Sequence, residues 1–159
     1  MSHVASPTSE EEAQVLDRIA KHHAELVSAL DEAVAKVVAA PDDEAEKAAS
    51  EGLASWARKE LIPHVMVEGE AMYPAARTLP GADLLVDSLI AEHQTVLSAV
   101  DTLEAATHHH DAVLAAGALQ AIVHLLVNQE NTQLLPRLAA DPKTSLVDIF
   151  GGTHELPES

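Results

Sequence analysis

The stretch from Glu10 to Val38, EEEAQVLDRIAKHHAELVSALDEAVAKVV, decides the fold class. Read at alternating steps of three and four, it places Leu16, Ile19, His23, Leu26, Leu30, Ala33 and Val37 on one face. That face is apolar except for one imidazole. The period is that of an α-helix, whereas a half-buried strand alternates every two residues. Ser9 with Glu12 forms a capping-box pattern at its start. Moving outward, the same period returns from about Glu44 to Tyr73, from about Ala82 to Ala106, and from about Asp111 to Ala140. The connections are short and rich in breakers: Ala39-Ala40-Pro41-Asp42-Asp43, Leu79-Pro80-Gly81 and Thr107-His108-His109-His110. Long helices on short links predict an all-α, antiparallel up-down-up-down four-helix bundle over residues 10–140. Residues 1–9 read as a flexible N-terminus, and 141–159 as a short C-terminal appendage with one helical piece. Pro63 is expected to kink the second helix, because it removes a backbone donor and crowds the carbonyl four residues earlier. Pro74 is expected to end it.

The chain has 159 residues, enough for one domain. Apolar residues make up 47% and aromatics only 2%, so Ala, Val and Leu must build the core through close helix packing. Nine Lys and Arg stand against 26 Asp and Glu, a formal net charge of −17. Such a surface repels phosphate, which argues against nucleic acid and anionic membranes as partners. There is no Cys, hence no disulfide, thiolate metal site or cysteine nucleophile. The N-terminus lacks an apolar signal region and no apolar run is read as a membrane span, so a cytoplasmic location is expected.

The polar residues inside the stripes carry the functional reading. The second stripe gives Leu53, Ala57, Leu61, His64, Glu68, Ala71 and Ala75; the third gives Ala82, Val86, Leu89, His93, Val96, Val100 and Leu103. The fourth gives Ala116, Leu119, Val123, Leu126, Glu130 and Leu134. A lone stripe histidine is ordinarily a satisfied core residue. Four stripes interrupted at one height are different, because a buried carboxylate needs a partner or a cation. His64 lies 15 residues before Leu79 and His93 lies 14 after it, so both sit about 20 Å from that turn. Glu68 and Glu130 are displaced toward the same end, and His23 is near the middle of its helix. Three imidazoles and two carboxylates can therefore converge. This donor set suits iron, manganese or zinc rather than calcium or magnesium, and two carboxylates can bridge two metals.

The segments holding these residues resemble the hemerythrin-like, HHE cation-binding family. His22-His23-Ala24-Glu25-Leu26 is similar to its first-helix segment. His64-Val65-Met66-Val67-Glu68-Gly69-Glu70-Ala71-Met72-Tyr73-Pro74 is similar to its strongest signature, His-x-x-x-Glu running to Tyr-Pro. Glu92-His93 resembles its third-helix Glu-His, and Gln129-Glu130-Asn131-Thr132-Gln133-Leu134-Leu135-Pro136 the end of its fourth-helix motif. The resemblance covers about residues 10–140 and implies a four-helix bundle around two non-haem irons with an oxo or hydroxo bridge. It implies His23, His64 and His93 as terminal ligands and Glu68 and Glu130 as bridging carboxylates. Dioxygen or a related small oxidant is the implied partner.

The chain departs from that family in two places. The fourth helix has Leu126 where the family has a histidine four residues before the carboxylate; the nearby histidine is His124, six before Glu130. On a regular helix those two side chains point about 120° apart. One register keeps Glu130, the other keeps His124 with Asn128 or Gln129 as its oxygen donor, and a local widening of the helix would admit both. In the third helix, Leu97 stands where many oxygen carriers have a second histidine. The set is thus poor in histidine, leaving a position for water, Tyr73 or a substrate. His22 reads as outside the ligand set, Glu60 as either a partner of His64 or solvated, Tyr73 as packing, and His108-His109-His110 as a solvated turn. Three functions stay open: a di-iron protein binding or sensing oxygen or a small oxidant; a di-iron enzyme acting on oxygen, peroxide, nitric oxide or an organic substrate; and a metal-free helical interaction module.

Overall fold

A computed structural model describes residues 9–151, all as helices and their connections with no strand among them. Helix α1 is Ser9–Val38. Helix α2 covers residues 43–76 as Asp43–Trp56, a wide turn at Ala57–Leu61, and Ile62–Ala76. Helix α3 is Asp83–Ala105. Helix α4 is His109–Ala140, again with a wide turn, at Glu130–Leu134. Helix α5 is Leu146–Gly151. The protein is a helical bundle: α1 packs on α2 and α4, α3 on α4 and α2, and α5 on α1 and α2. The flexible N-terminus expected at 1–9 lies outside the described residues, apart from Ser9, which already begins α1.

The core is aliphatic, as the composition requires. Ile19, Leu30, Leu53, Leu89, Leu119 and Leu134 are among the fully enclosed side chains. Along α1 the buried face runs through Val15 and Val34, one residue away from the expected Leu16 and Ala33, which pack at its edge. Ser9 and Glu12 do not close a capping box. The Glu12 carboxylate instead accepts from Ser145 Oγ and, at 2.7 Å, from the Leu146 amide. It thereby caps α5, whose Leu146 and Phe150 join the core.

Both wide turns sit immediately before an X-Pro pair, Ile62-Pro63 and Leu135-Pro136. In each, the amide ahead of the proline reaches five residues back: Ile62 to the Ala57 carbonyl, and Leu135 to the Glu130 carbonyl. A proline ring crowds the carbonyl four residues earlier, and a wider turn moves that carbonyl aside without breaking the helix. The kink expected at Pro63 therefore takes the form of this turn. Pro74 does not end α2, which continues to Ala76. The wide turn in α4 also accounts for the buried spacing Leu126, Glu130, Leu134, Leu138. A regular helix overshoots by about 40° at each step of four, and the wider turn absorbs that drift.

The reading that no apolar run approaches a membrane span is corrected on length and composition alone, a test that the core helix of a bundle also passes. Helix α4 is long and apolar enough to cross a membrane by length and composition, with a window of mean hydropathy 1.5 of which 33% is buried. Its apolar residues occupy both the core face and the outer face.

Candidate metal centre

His23, Glu68, His93 and Glu130 are buried, and they come from four different helices. The cluster begins on α2. The wide turn delivers His64 one helical turn before Glu68, and His64 Nε2 lies 2.9 Å from Glu68 Oε2. Glu68 also meets His23 of α1, whose Nε2 donates to its two oxygens at 2.9 and 3.0 Å. The other face of the His23 ring is fixed by Asn131, with Nδ1 2.7 Å from its Oδ1. His23, His64 and Glu68 each offer a ligand atom, all within 4.8 Å of one another.

Glu130 joins this half to a second one. Its Oε2 lies 3.4 Å from His23 Nε2, while its Oε1 lies 3.9 Å from His93 Nε2 on α3. The Tyr73 hydroxyl stands between His93 and Glu130: it is 2.6 Å from His93 Nε2 and donates to Glu130 Oε1 at 3.2 Å. Beside them Glu92 of α3 is buried, and with the Gln129 amide turned so that its nitrogen faces the carboxylate it accepts from that nitrogen at 2.7 and 2.8 Å. Gly69 makes room for this half. A Cβ there would come within 2.9 Å of His93 Cε1 and 3.2 Å of Tyr73 Cε2.

The electrostatics show a site short of positive charge. Burial works against a charge on His23, but the hydrogen bond and charge of Glu68, with Glu130, outweigh it and raise its pKa to about 9. Burial likewise opposes ionisation of Glu68, yet His23 and His64 hold it well below the usual carboxylate range. Glu130 is pushed up to about 7 by burial and by the Glu68 charge. Burial and Glu130 also drive the Tyr73 phenol upward. A second carboxylate thus ionises easily here only if more positive charge arrives. The donor atoms fit that need: buried His64 Nε2 has no hydrogen-bond partner, since its approach to Glu68 lacks the required alignment. Neutral imidazole and carboxylate form a borderline ligand set for iron, manganese or zinc.

All of His23, His64, Glu68, His93 and Glu130 lie in this cluster, and His124 does not. The α4 wide turn begins at Glu130, after the interval it would have to widen. His124 therefore stays on another face, 2.7 Å from Asp31 of α1 and half-exposed. His22 is half-buried, with its ring 4.5 Å from that of His64. Glu60 and His108 to His110 are exposed. Reading the stripes missed Asn131 and Gly69; Tyr73, read as packing, was also named as one occupant of the open position, and here its hydroxyl meets His93 and Glu130. Gly69 had a signal, because a mid-helix glycine between two candidate ligands costs about 1 kcal/mol of propensity and marks a close approach.

The hemerythrin family, described as the hemerythrin HHE cation binding domain, matches residues 14–138. The chain belongs to this family. The match takes in every residue of the cluster and reaches from within α1 to within α4. No curated protein and no solved structure matches the chain.

Proposed function

We propose that this hemerythrin-family domain holds two irons and uses them to bind or sense dioxygen or a related small oxidant. His23, His64 and Glu68 would hold one ion; His93, Glu130 and Tyr73 would hold the other. The observation that carries this reading is the position of Glu130, with one oxygen toward His23 and the other toward His93. A pair of irons supplies reversible electron transfer to a small oxidant. The chain's own residues do the rest. Asn131 orients His23, Gly69 lets His93 approach, and the Leu and Val shell excludes water. Manganese or zinc would suit the same donors.

The up-down-up-down arrangement is part of this proposal, and paired contacts support it. Between α2 and α3 the pairs are Arg77 with Asp87, Tyr73 with His93, and Arg58 with Asp101. Between α1 and α4 they are His23 with Asn131 and Asp31 with Gln120. In both sets one number falls as the other rises, as antiparallel neighbours require. The acidic surface favours a protein that avoids nucleic acid and anionic lipid, and a cytoplasmic location stays part of the proposal.

Tyr73 favours a second reading, in which the same centre is an oxidoreductase. A phenol in the half lacking a second imidazole gives that ion a hard anionic donor, better suited to turnover than to reversible carriage. A metal-free module is the least supported, because it would leave buried His64 Nε2 with no aligned hydrogen bond, only the nearby Glu68 carboxylate. The deciding experiment measures metal content and the optical spectrum of protein produced with iron supplied. Two irons per chain are expected, and a reversible spectrum with oxygen favours binding or sensing. Sustained consumption of peroxide, nitric oxide or an organic substrate favours the enzyme. Absence of bound metal under all three metals would reject both.

A further inference from the structure

Helix α1 carries a second imidazole, His22, next to His23. A helix turns about 100° per residue, so the two side chains leave α1 in different directions. His23 is fully enclosed, whereas His22 is half-buried. The His22 ring lies 4.5 Å from the His64 ring, tilted by 57°. The His64 ring also meets that of His23, edge to face at 5.4 Å. Three imidazoles thus run in contact from a half-buried side chain to one with no exposed surface. Glu25, three residues on and exposed, places a carboxylate on the same side of α1 as His22. Within the cluster, His64 is the histidine left open. Its Nε2 has no aligned hydrogen bond, whereas His23 is held between Glu68 and Asn131, and His93 Nε2 meets the Tyr73 hydroxyl.

We propose that His22 is the intake ligand of the metal centre: it takes up a divalent first-row cation at the surface, hands it to His64, and does not stay bound. This rests on the reading above that the cluster holds metal. Imidazole suits iron, manganese and zinc alike. Exchange between neighbouring imidazoles keeps a nitrogen donor on the ion throughout, and no electron moves. The donor atoms gathered within 4.8 Å of one another are those of His23, His64 and Glu68, without His22. His22 therefore stands beside the site rather than in it. A surface with a formal net charge of −17 concentrates cations around the whole chain, and His22 supplies a point where one of them can meet the cluster.

A residue that only conducts the ion changes its rates of entry and exit by the same factor and leaves the affinity alone. A resident ligand changes the affinity. The experiment follows ferrous iron, with oxygen excluded, entering the metal-free full chain and leaving the loaded chain to a coloured chelator. His22→Phe keeps a ring against His64 but removes both nitrogens. Uptake and release should each slow by about tenfold, the lower end of what a group bordering a metal site contributes, with final iron content, affinity and helix content as in wild type. His22→Gln, which avoids a half-buried phenyl ring, should do the same. His124→Ala removes a half-exposed imidazole from α4 and should leave both rates unchanged. Wild-type rates in both His22 variants overturn the proposal. Equal slowing in His124→Ala also overturns it, because any surface imidazole would then serve. A lower affinity or iron content in the His22 variants makes His22 a resident ligand and overturns the intake role. A wild-type chain that takes up no iron is a distinct result, which rejects the reading of the cluster and the intake role with it.

Discussion

The Tyr73 hydroxyl lies 2.6 Å from His93 Nε2, and this bond ties α2 to α3 inside the metal cluster. Because the same hydroxyl donates to Glu130, one phenol touches the candidate ligand residues of two other helices. Tyr73→Phe keeps the ring and removes that oxygen. The metal-free protein should lose about 1–3 kcal/mol, since a buried hydrogen-bonding group is left unmatched on each neighbour. The iron-loaded protein should lose a visible phenolate-to-iron absorption band. An unchanged spectrum in the variant would remove Tyr73 from the ligand set.

Gly69 sets two effects against each other. Gly69→Ala gains about 1 kcal/mol of helix propensity, but its Cβ would press on His93 at 2.9 Å. Since the His93 ring is held by Tyr73, the clash should win locally. The expected outcome is full helix content with metal loading reduced toward one ion per chain. Retention of both ions would mean that His93 has slack that the packing does not indicate.

The metal-free cluster should make stability fall as pH rises. Groups facing Glu130 are His23 from α1, Glu68 and Tyr73 from α2, and His93 from α3. The folded pKa of Glu130, about 7, lies above its ordinary 4.5, so its protonated form is favoured and stability drops as pH climbs through that interval. His23, raised from 6.5 to about 9, contributes stability that is complete below 6.5 and lost through 9. Glu68, held low, contributes stability present above its ordinary 4.5 and lost as pH falls through its depressed value. Melting temperature of the chelated protein should therefore peak on the acid side of neutrality and decline toward pH 9. A cation should flatten that decline by favouring the ionised carboxylates. A chelated protein that grows steadily more stable up to pH 9 contradicts the charge assignment.

His124 provides the contrast within α4. Its contact with Asp31 is a half-exposed pair, of the kind worth less than about 1 kcal/mol. His124→Ala should leave metal content unchanged and shift the melting temperature only slightly. His23→Ala should remove metal, because it withdraws the imidazole shared by Glu68 and Glu130. Equal metal loss in both variants would restore His124 as a ligand.

Much of the bundle was legible because a period of three and four identifies a buried helix face without reference to its neighbours. The five interior His and Glu residues stood out for the same reason: each breaks an apolar stripe, and their distances along the chain place them near one height. Periodicity assigns a face to within about one residue, which is why Val15 and Val34 replaced Leu16 and Ala33 on α1. It does not say what lies opposite. Tyr73 looked like packing because its ring fits a core position, and its function lies in where the hydroxyl ends, which is set by α3 and α4. Asn131 adjoins Glu130 at the start of the wide turn, and both meet His23, a pairing set by how α4 packs on α1.

The residue pattern alone determined that the chain forms long helices and that each contributes an imidazole or an acid to the interior. It also carried the resemblance to the family. Tertiary structure alone decided that Glu130 rather than His124 serves the cluster, that Tyr73 joins it, and that His22 stands against His64 at its edge. The physical reason is one of range. Helical period and proline chemistry act within a few residues, whereas a ligand set is a matter of a few ångströms between atoms on separate helices, fixed only when those helices pack.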